Sequence, residues 1–185
     1  MIRSVDEHAE HIAALLAAAL TPRPETVDID ETLGRVTASA IVSPVDLPLF
    51  RNSQMDGFAV YAADLVTLPA SLPIAGEIAA RPSDPLPLLP GSAVRIMTGG
   101  VVPLGADAVV PVEDTTVVGD RVTITRARSA GEFVRDRGSD VRRGDELLPS
   151  GLTLASRHLA VLAATGLTSV SARTRVRIAI ITTGS

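Results

Sequence analysis

The 185-residue sequence contains no cysteine and no lysine, and it has no long apolar run. Without cysteine there is neither a disulfide framework nor a thiolate metal site, which suits the cytoplasm. Without lysine there is no Schiff base and no Walker-type phosphate loop. All 17 basic residues are therefore arginine, a bias that a GC-rich genome explains far better than selection for the planar, bidentate guanidinium. A formal charge of -4 gives no reason to expect nucleic acid or an anionic membrane surface as partner. No apolar run reaches the roughly 18 residues of a membrane helix. The first twenty residues carry Asp6, Glu7, His8, Glu10 and His11 in place of the basic start of a signal peptide. What remains is 46% hydrophobic content, ample for a packed core.

Ser4 with Glu7 three residues later reads as a capping box, and Ile12, Leu15, Leu16 and Ala19 follow at helical spacing as far as Pro22 and Pro24. Val27 and Ile29 predict a short strand, and Asp30 is placed to cap a second short helix through Leu33 and Val36 to about Ala40. Pro44 and Pro48 then impose an extended crossing. From Leu47 to Phe133, Pro and Gly punctuate short β-branched runs, the pattern of a small barrel or sandwich. Within it Thr115–Val118 and Arg121–Thr125 flank Gly119-Asp120, a type II′ hairpin turn. A helix near 154–165 is closed by Gly166. The segment 175–181 reads as a buried parallel strand, and Thr182-Thr183-Gly184-Ser185 as its turn into a helix. The expected class is thus α+β and β-rich. A β-barrel-like domain (47–135) interrupts an elongated α+β domain (1–46 and 136–172), and 173–185 begin an α/β domain cut short at its first strand.

Three stretches carry candidate chemistry. Asn52-Ser53-Gln54-Met55-Asp56-Gly57-Phe58-Ala59 sits where the crossing enters the β domain. Taken alone, an Asp-Gly pair is a turn in which glycine takes positive φ. Arg95-Ile96-Met97-Thr98-Gly99-Gly100 runs a strand into a glycine turn, where free amides would cradle an oxyanion beside the Thr98 hydroxyl. Such a pair also occurs in ordinary loops. The run from Arg135 to Asp145 alternates charges, as solvated faces do. Its functional reading sets guanidiniums on phosphate while Asp140 binds a cation or orients them. His8, His11 and His158 are too few for a transition-metal site without cysteine.

Together with Leu33-Gly34-Arg35-Val36, Gly105-Ala-Asp-Ala-Val109, Arg137-Gly-Ser-Asp140, Gly144-Asp145 and Thr182-Thr-Gly184, these pieces occur in the order of the molybdopterin molybdenumtransferase family, which includes bacterial MoeA proteins and the gephyrin E domain. The sequence resembles that family over essentially its whole length. The resemblance implies transfer of molybdenum from molybdate to adenylylated molybdopterin, with magnesium-dependent release of AMP. It implies a cytoplasmic homodimer downstream of a molybdopterin adenylyltransferase, with the cleft shared between the β domain of one subunit and the α/β, pterin-binding domain of the other. By position it makes Asp56, Thr98 and Asp140 catalytic candidates. Ser53, Gly99, Gly100 and Arg137 become candidates for substrate binding, and Asp56 the magnesium ligand. As the opposite wall is absent, 1–185 alone are expected to be inactive. The alternative within the family is a non-catalytic dimerisation or scaffold module.

Overall fold

The computed structural model describes residues 4–19 and 23–183. In chain order these give α1 (Val5–Ala19), β1 (Pro24–Asp28), β2 (Ile41–Val42), β3 (Asn52–Ser53), β4 (Gly57–Val60), β5 (Ala70–Ile78) and β6 (Ala93–Ile96). There follow β7 (Ala108–Pro111), β8 (Thr115–Val118), β9 (Arg121–Ile124), β10 (Val134–Arg135), β11 (Glu146–Leu148), α2 (Ser156–Ala164) and β12 (Ser169–Arg173). The chain divides into two compact units, the continuous Val45–Arg143 and the discontinuous Met1–Pro44 with Gly144–Ser185.

The discontinuous unit is tied by pairing between distant parts of the chain. β1 runs antiparallel to β12, and β2 to β11. Its core gathers Ile41, Leu148, Leu154, Leu162 and Val170. Arg35 is buried, pairs with Glu25 and donates to the Arg173 carbonyl at 2.8 Å, joining both strands of the first pair. Ser4 and Glu7 cap α1 reciprocally, the Ser4 N–H donating to Glu7 Oε2 at 2.7 Å and the Glu7 N–H to Ser4 Oγ at 3.2 Å. The apolar residues Ile12, Leu15 and Leu16 of this helix lie exposed. α2 ends in a Schellman motif, with Gly166 at φ 76° and the Leu167 N–H donating to the Leu162 carbonyl at 3.0 Å.

Two predicted elements are absent. Asp30 begins no second α-helix; a single 3-10 turn, Ile29–Glu31, stands there. Gly34 takes φ 75°, and Val36 and Thr37 leave the turn to make β-bridges with Thr153 and Ala172. Long-range pairing outweighs a weak local helical preference. The aliphatic run 175–181 is likewise no buried strand: it makes no ladder among the described residues, and Val176, Ile178, Ile180 and Ile181 are exposed. A strand of that composition requires neighbouring strands and covering layers, which the described residues do not supply.

In the continuous unit six strands form one curled, half-barrel sheet in the order β7-β4-β6-β5-β9-β8, antiparallel throughout except for the β5–β6 pair. Apolar clusters cover both faces at its centre. Phe58 and Val60 project into the cluster with Val110, Val122 and Ile124, while Ala59 joins Val94, Ile96 and Val109. Period-two alternation explains this division. It also explains why every residue of β4 is buried. The predicted hairpin is present, with Val118 opposite Arg121 and Gly119 at φ 61°.

Candidate functional site

Of the candidate residues, Ser53, Asp56, Thr98, Gly99 and Gly100 gather where β4 enters the half-barrel. Ser53 is almost fully buried, its hydroxyl donating to the Met55 carbonyl at 2.6 Å and accepting the Met55 N–H at 3.2 Å. That local bond folds Ser53–Met55 into a tight turn and delivers Asp56 to the start of β4. Ser53 also docks the glycine turn: the Gly99 N–H donates to its carbonyl at 2.8 Å, and its own N–H to the Gly100 carbonyl at 3.0 Å. Thr98 is thereby brought to Asp56. Asp56 Oδ1 accepts both the Thr98 N–H and the Thr98 hydroxyl, each at 2.7 Å. These two bonds, the amide's first, hold the exposed Asp56 carboxyl below its ordinary range against a weaker opposing effect of desolvation. It is a carboxylate at neutral pH.

Gly57 is not the positive-φ glycine of an Asp-Gly turn. It opens β4, and a Cβ there would stand 2.0 Å from the Val110 carbonyl oxygen of β7. The glycine is required by close strand approach. The amides of the second motif are not free to cradle an oxyanion. Thr98 N–H serves Asp56, Gly99 N–H serves Ser53, and Gly100 N–H serves the Met97 carbonyl at 2.8 Å. Positive φ at Gly99 (82°) turns these donors inward on the chain.

Asp140 and Arg137 lie in a separate cluster of the same unit, linked to the first through the β3–β10 pair, where Arg135 stands opposite Asn52. Asp140 receives Arg135 through two nitrogens, with the Ser139 hydroxyl 3.3 Å from its Oδ1. Arg137 Nε donates to Asp46 Oδ2 at 2.8 Å, and the Arg143 N–H donates to Asp46 Oδ1 at 2.8 Å. The Arg143 amide is the largest cause of a lowered Asp46 pKa. The charge run is thus a set of specific ion pairs. His158 has a structural place, its Nδ1 accepting the Ala155 N–H at 3.1 Å at the start of α2. No described helix is long and apolar enough to cross a membrane.

Residues that the sequence did not single out complete the surroundings. Arg51 donates to the Ala106 carbonyl at 2.8 Å and pairs with Asp136. Phe133, at φ 56°, accepts the Gln54 N–H at 3.0 Å, and Arg128 stacks on its ring. The contacts of Arg51 with Ala106 and Asp136 and of Gln54 with Phe133 join residues remote in the chain, so no spacing in the sequence marks them.

Residues 3–166 match the MoeA N-terminal region, domains I and II of that family. The chain is 40% identical over 188 residues to molybdopterin molybdenumtransferase 2 of Mycobacterium tuberculosis, covering 100% of this chain and 46% of that protein. It is 38% identical over 164 residues to molybdopterin molybdenumtransferase of Nostoc sp., covering 86% and 38% respectively. The chain therefore spans about half the length, or less, of the curated relatives it matches. Among solved structures it resembles the molybdopterin biosynthesis MoeA protein of Pyrococcus horikoshii, with TM-scores of 0.78 and 0.77 at 31% and 30% identity in two crystal structures. The superposition covers 88% of this chain and 43% of the neighbour in the first, and 81% and 41% in the second.

Proposed function

Starting from the fact that this chain belongs to the MoeA family, as its N-terminal region, we propose that it forms one wall of a site that transfers molybdenum from molybdate to adenylylated molybdopterin and releases AMP. The observation that carries the reading is the Asp56–Thr98 pair, an exposed, ionised carboxylate fixed by two short bonds at the end of a buried sheet. A simple turn would not need Thr98 to be brought from 42 residues away.

Among the described residues no group of three or more His, Asp and Glu side chains gathers to hold a metal. Magnesium fits on other terms, because it keeps several waters and takes one or two carboxylates together with substrate phosphates. Asp56 accepts both Thr98 bonds on Oδ1, which leaves Oδ2 to serve such an ion. When bound there, magnesium would neutralise charge on the pyrophosphate that is cleaved. Arg137 spends only Nε on Asp46, so its terminal nitrogens suit a phosphate oxygen. Asp140, held by Arg135, orients that arginine run. Ser53, Gly99 and Gly100 contribute by fixing Thr98 and the backbone beside it.

The finer reading places the enzyme in the cytoplasm as a homodimer that receives its substrate from a molybdopterin adenylyltransferase. The segment 175–181 then serves as the first strand of an α/β domain that supplies the opposite wall. In a full-length protein, Asp56→Asn lowers AMP release from adenylylated molybdopterin in the presence of molybdate by about a hundredfold or more, the scale of losing one electrostatic group in a transition state. Its melting temperature stays within the small range of surface substitutions. Wild-type turnover in Asp56→Asn would sink the assignment.

A further inference from the structure

The turn that carries Asp56 is gripped on two flanks, and both grips lead to one buried guanidinium. On the near side, the Gln54 N–H donates to the Phe133 carbonyl at 3.0 Å. Phe133 is the one non-glycine residue with positive φ among those described, at 56°, a region unfavourable to any side chain with a Cβ. On the far side, the Val112 N–H donates to the Asp56 carbonyl at 3.1 Å, and Val112 opens the 3-10 turn Val112–Asp114.

Arg128 joins the two. Its Cζ lies 5.0 Å from the centroid of the Phe133 ring, its NH2 pairs with the Asp114 carboxylate, and its NH1 stands 3.5 Å from Glu132 Oε1. The side chain is only 9% exposed, and Nε is buried with no partner. Leaving an arginine N–H unsatisfied in the interior is unfavourable. An arginine placed for ion pairing alone would satisfy it. The stacked face holds the Phe133 ring, and with it the backbone conformation that aims the Phe133 carbonyl at Gln54.

We propose that Arg128 is a positioning residue for the Asp56–Thr98 pair, fixing both ends of the Gln54-Met55-Asp56 turn through Phe133 and Asp114. The inference rests on the reading of Asp56 as a functional group, but its test requires no substrate. In the whole chain carrying Arg128→Met, amide hydrogen exchange is followed at Thr98, which donates to Asp56, and at Arg143, which donates to the Asp46 carboxylate at 2.8 Å in the same unit. Protection of Thr98 falls about tenfold while that of Arg143 holds. Unchanged protection at Thr98, or a fall matched at Arg143, overturns the proposal. Should Arg128→Met not fold, Phe133→Gly tolerates the positive φ while removing the ring. Exchange at the same two amides then decides: a selective loss at Thr98 supports the clamp, and no loss or a matched loss overturns it. Absence of AMP release from a full-length protein whose Thr98 stays protected counts against the transferase reading and leaves the clamp standing.

Discussion

Three carboxyls, those of Asp46, Asp56 and Glu132, are held below their ordinary range, and for each the largest cause is a single backbone N–H: from Arg143, Thr98 and Ser129 respectively. A carboxyl whose folded pKa is depressed binds protons more readily in the unfolded chain. The stability it contributes is therefore full above the unfolded values of about 3.9 for Asp and 4.3 for Glu, and is lost as pH falls through the depressed folded values. Urea midpoints measured across this acid range should decline with falling pH, and Asp56→Asn should shallow the decline by lowering the midpoint slightly at neutral pH while converging with the wild type in acid. Little of this was legible residue by residue. Asp56 and Thr98 stood out because their neighbours match a family, yet the bond between them joins two motifs and belongs to neither. The oxyanion cradle expected at Gly99 and Gly100 failed because a count of glycines says nothing of where the amides already point. Gly57 reads as a turn in the sequence and proves to be a contact, since only the register of β4 on β7 reveals the Val110 carbonyl against it.

Elements that declare themselves by their own ends were legible. The Ser4–Glu7 cap, the Gly119-Asp120 hairpin and the Gly166 closure of α2 each depend on a few adjacent residues, and each forms as the spacing predicts. Gly166→Ala tests the last of these. Forcing a Cβ into φ 76° costs roughly 1–2 kcal/mol, and exchange at the α2 amides should quicken accordingly while the hairpin amides are unaffected. The helix expected after Asp30 rested on that one capping residue, with no signal to close its far end. Gly34 lies within it, and the partners of Val36 and Thr37 come from Thr153 and Ala172, more than a hundred residues on. Local propensity has no access to partners at that distance.

For the whole molecule, Pro, Gly and β-branched residues crowding the middle of the chain are what led the sequence to suggest an inserted β domain over 47–135. The continuous unit Val45–Arg143 holds the six-stranded sheet and both of its apolar clusters. Expressed alone, 45–143 should fold, its amide spectrum overlaying that of the same residues in the longer chain; a collapsed, poorly dispersed spectrum would show that the sheet depends on the rest. The discontinuous unit needs both of its pieces, because among the described residues β1 and β2 pair with β12 and β11 alone. How that unit tolerates so long an interruption follows from its seam. The Ser43 N–H donates to the Asp145 carbonyl at 2.9 Å, and the Gly144 N–H returns a bond to the Ser43 carbonyl at 2.8 Å. Inside the other unit, Leu47 and Val141 exchange bonds of 2.7 and 3.1 Å. Each unit fastens its own edge. The number of residues between the two sides of the seam is then of no concern to the residues that close it. The loops of the half-barrel can be lengthened, trimmed or reshaped without touching the bonds that close the other unit.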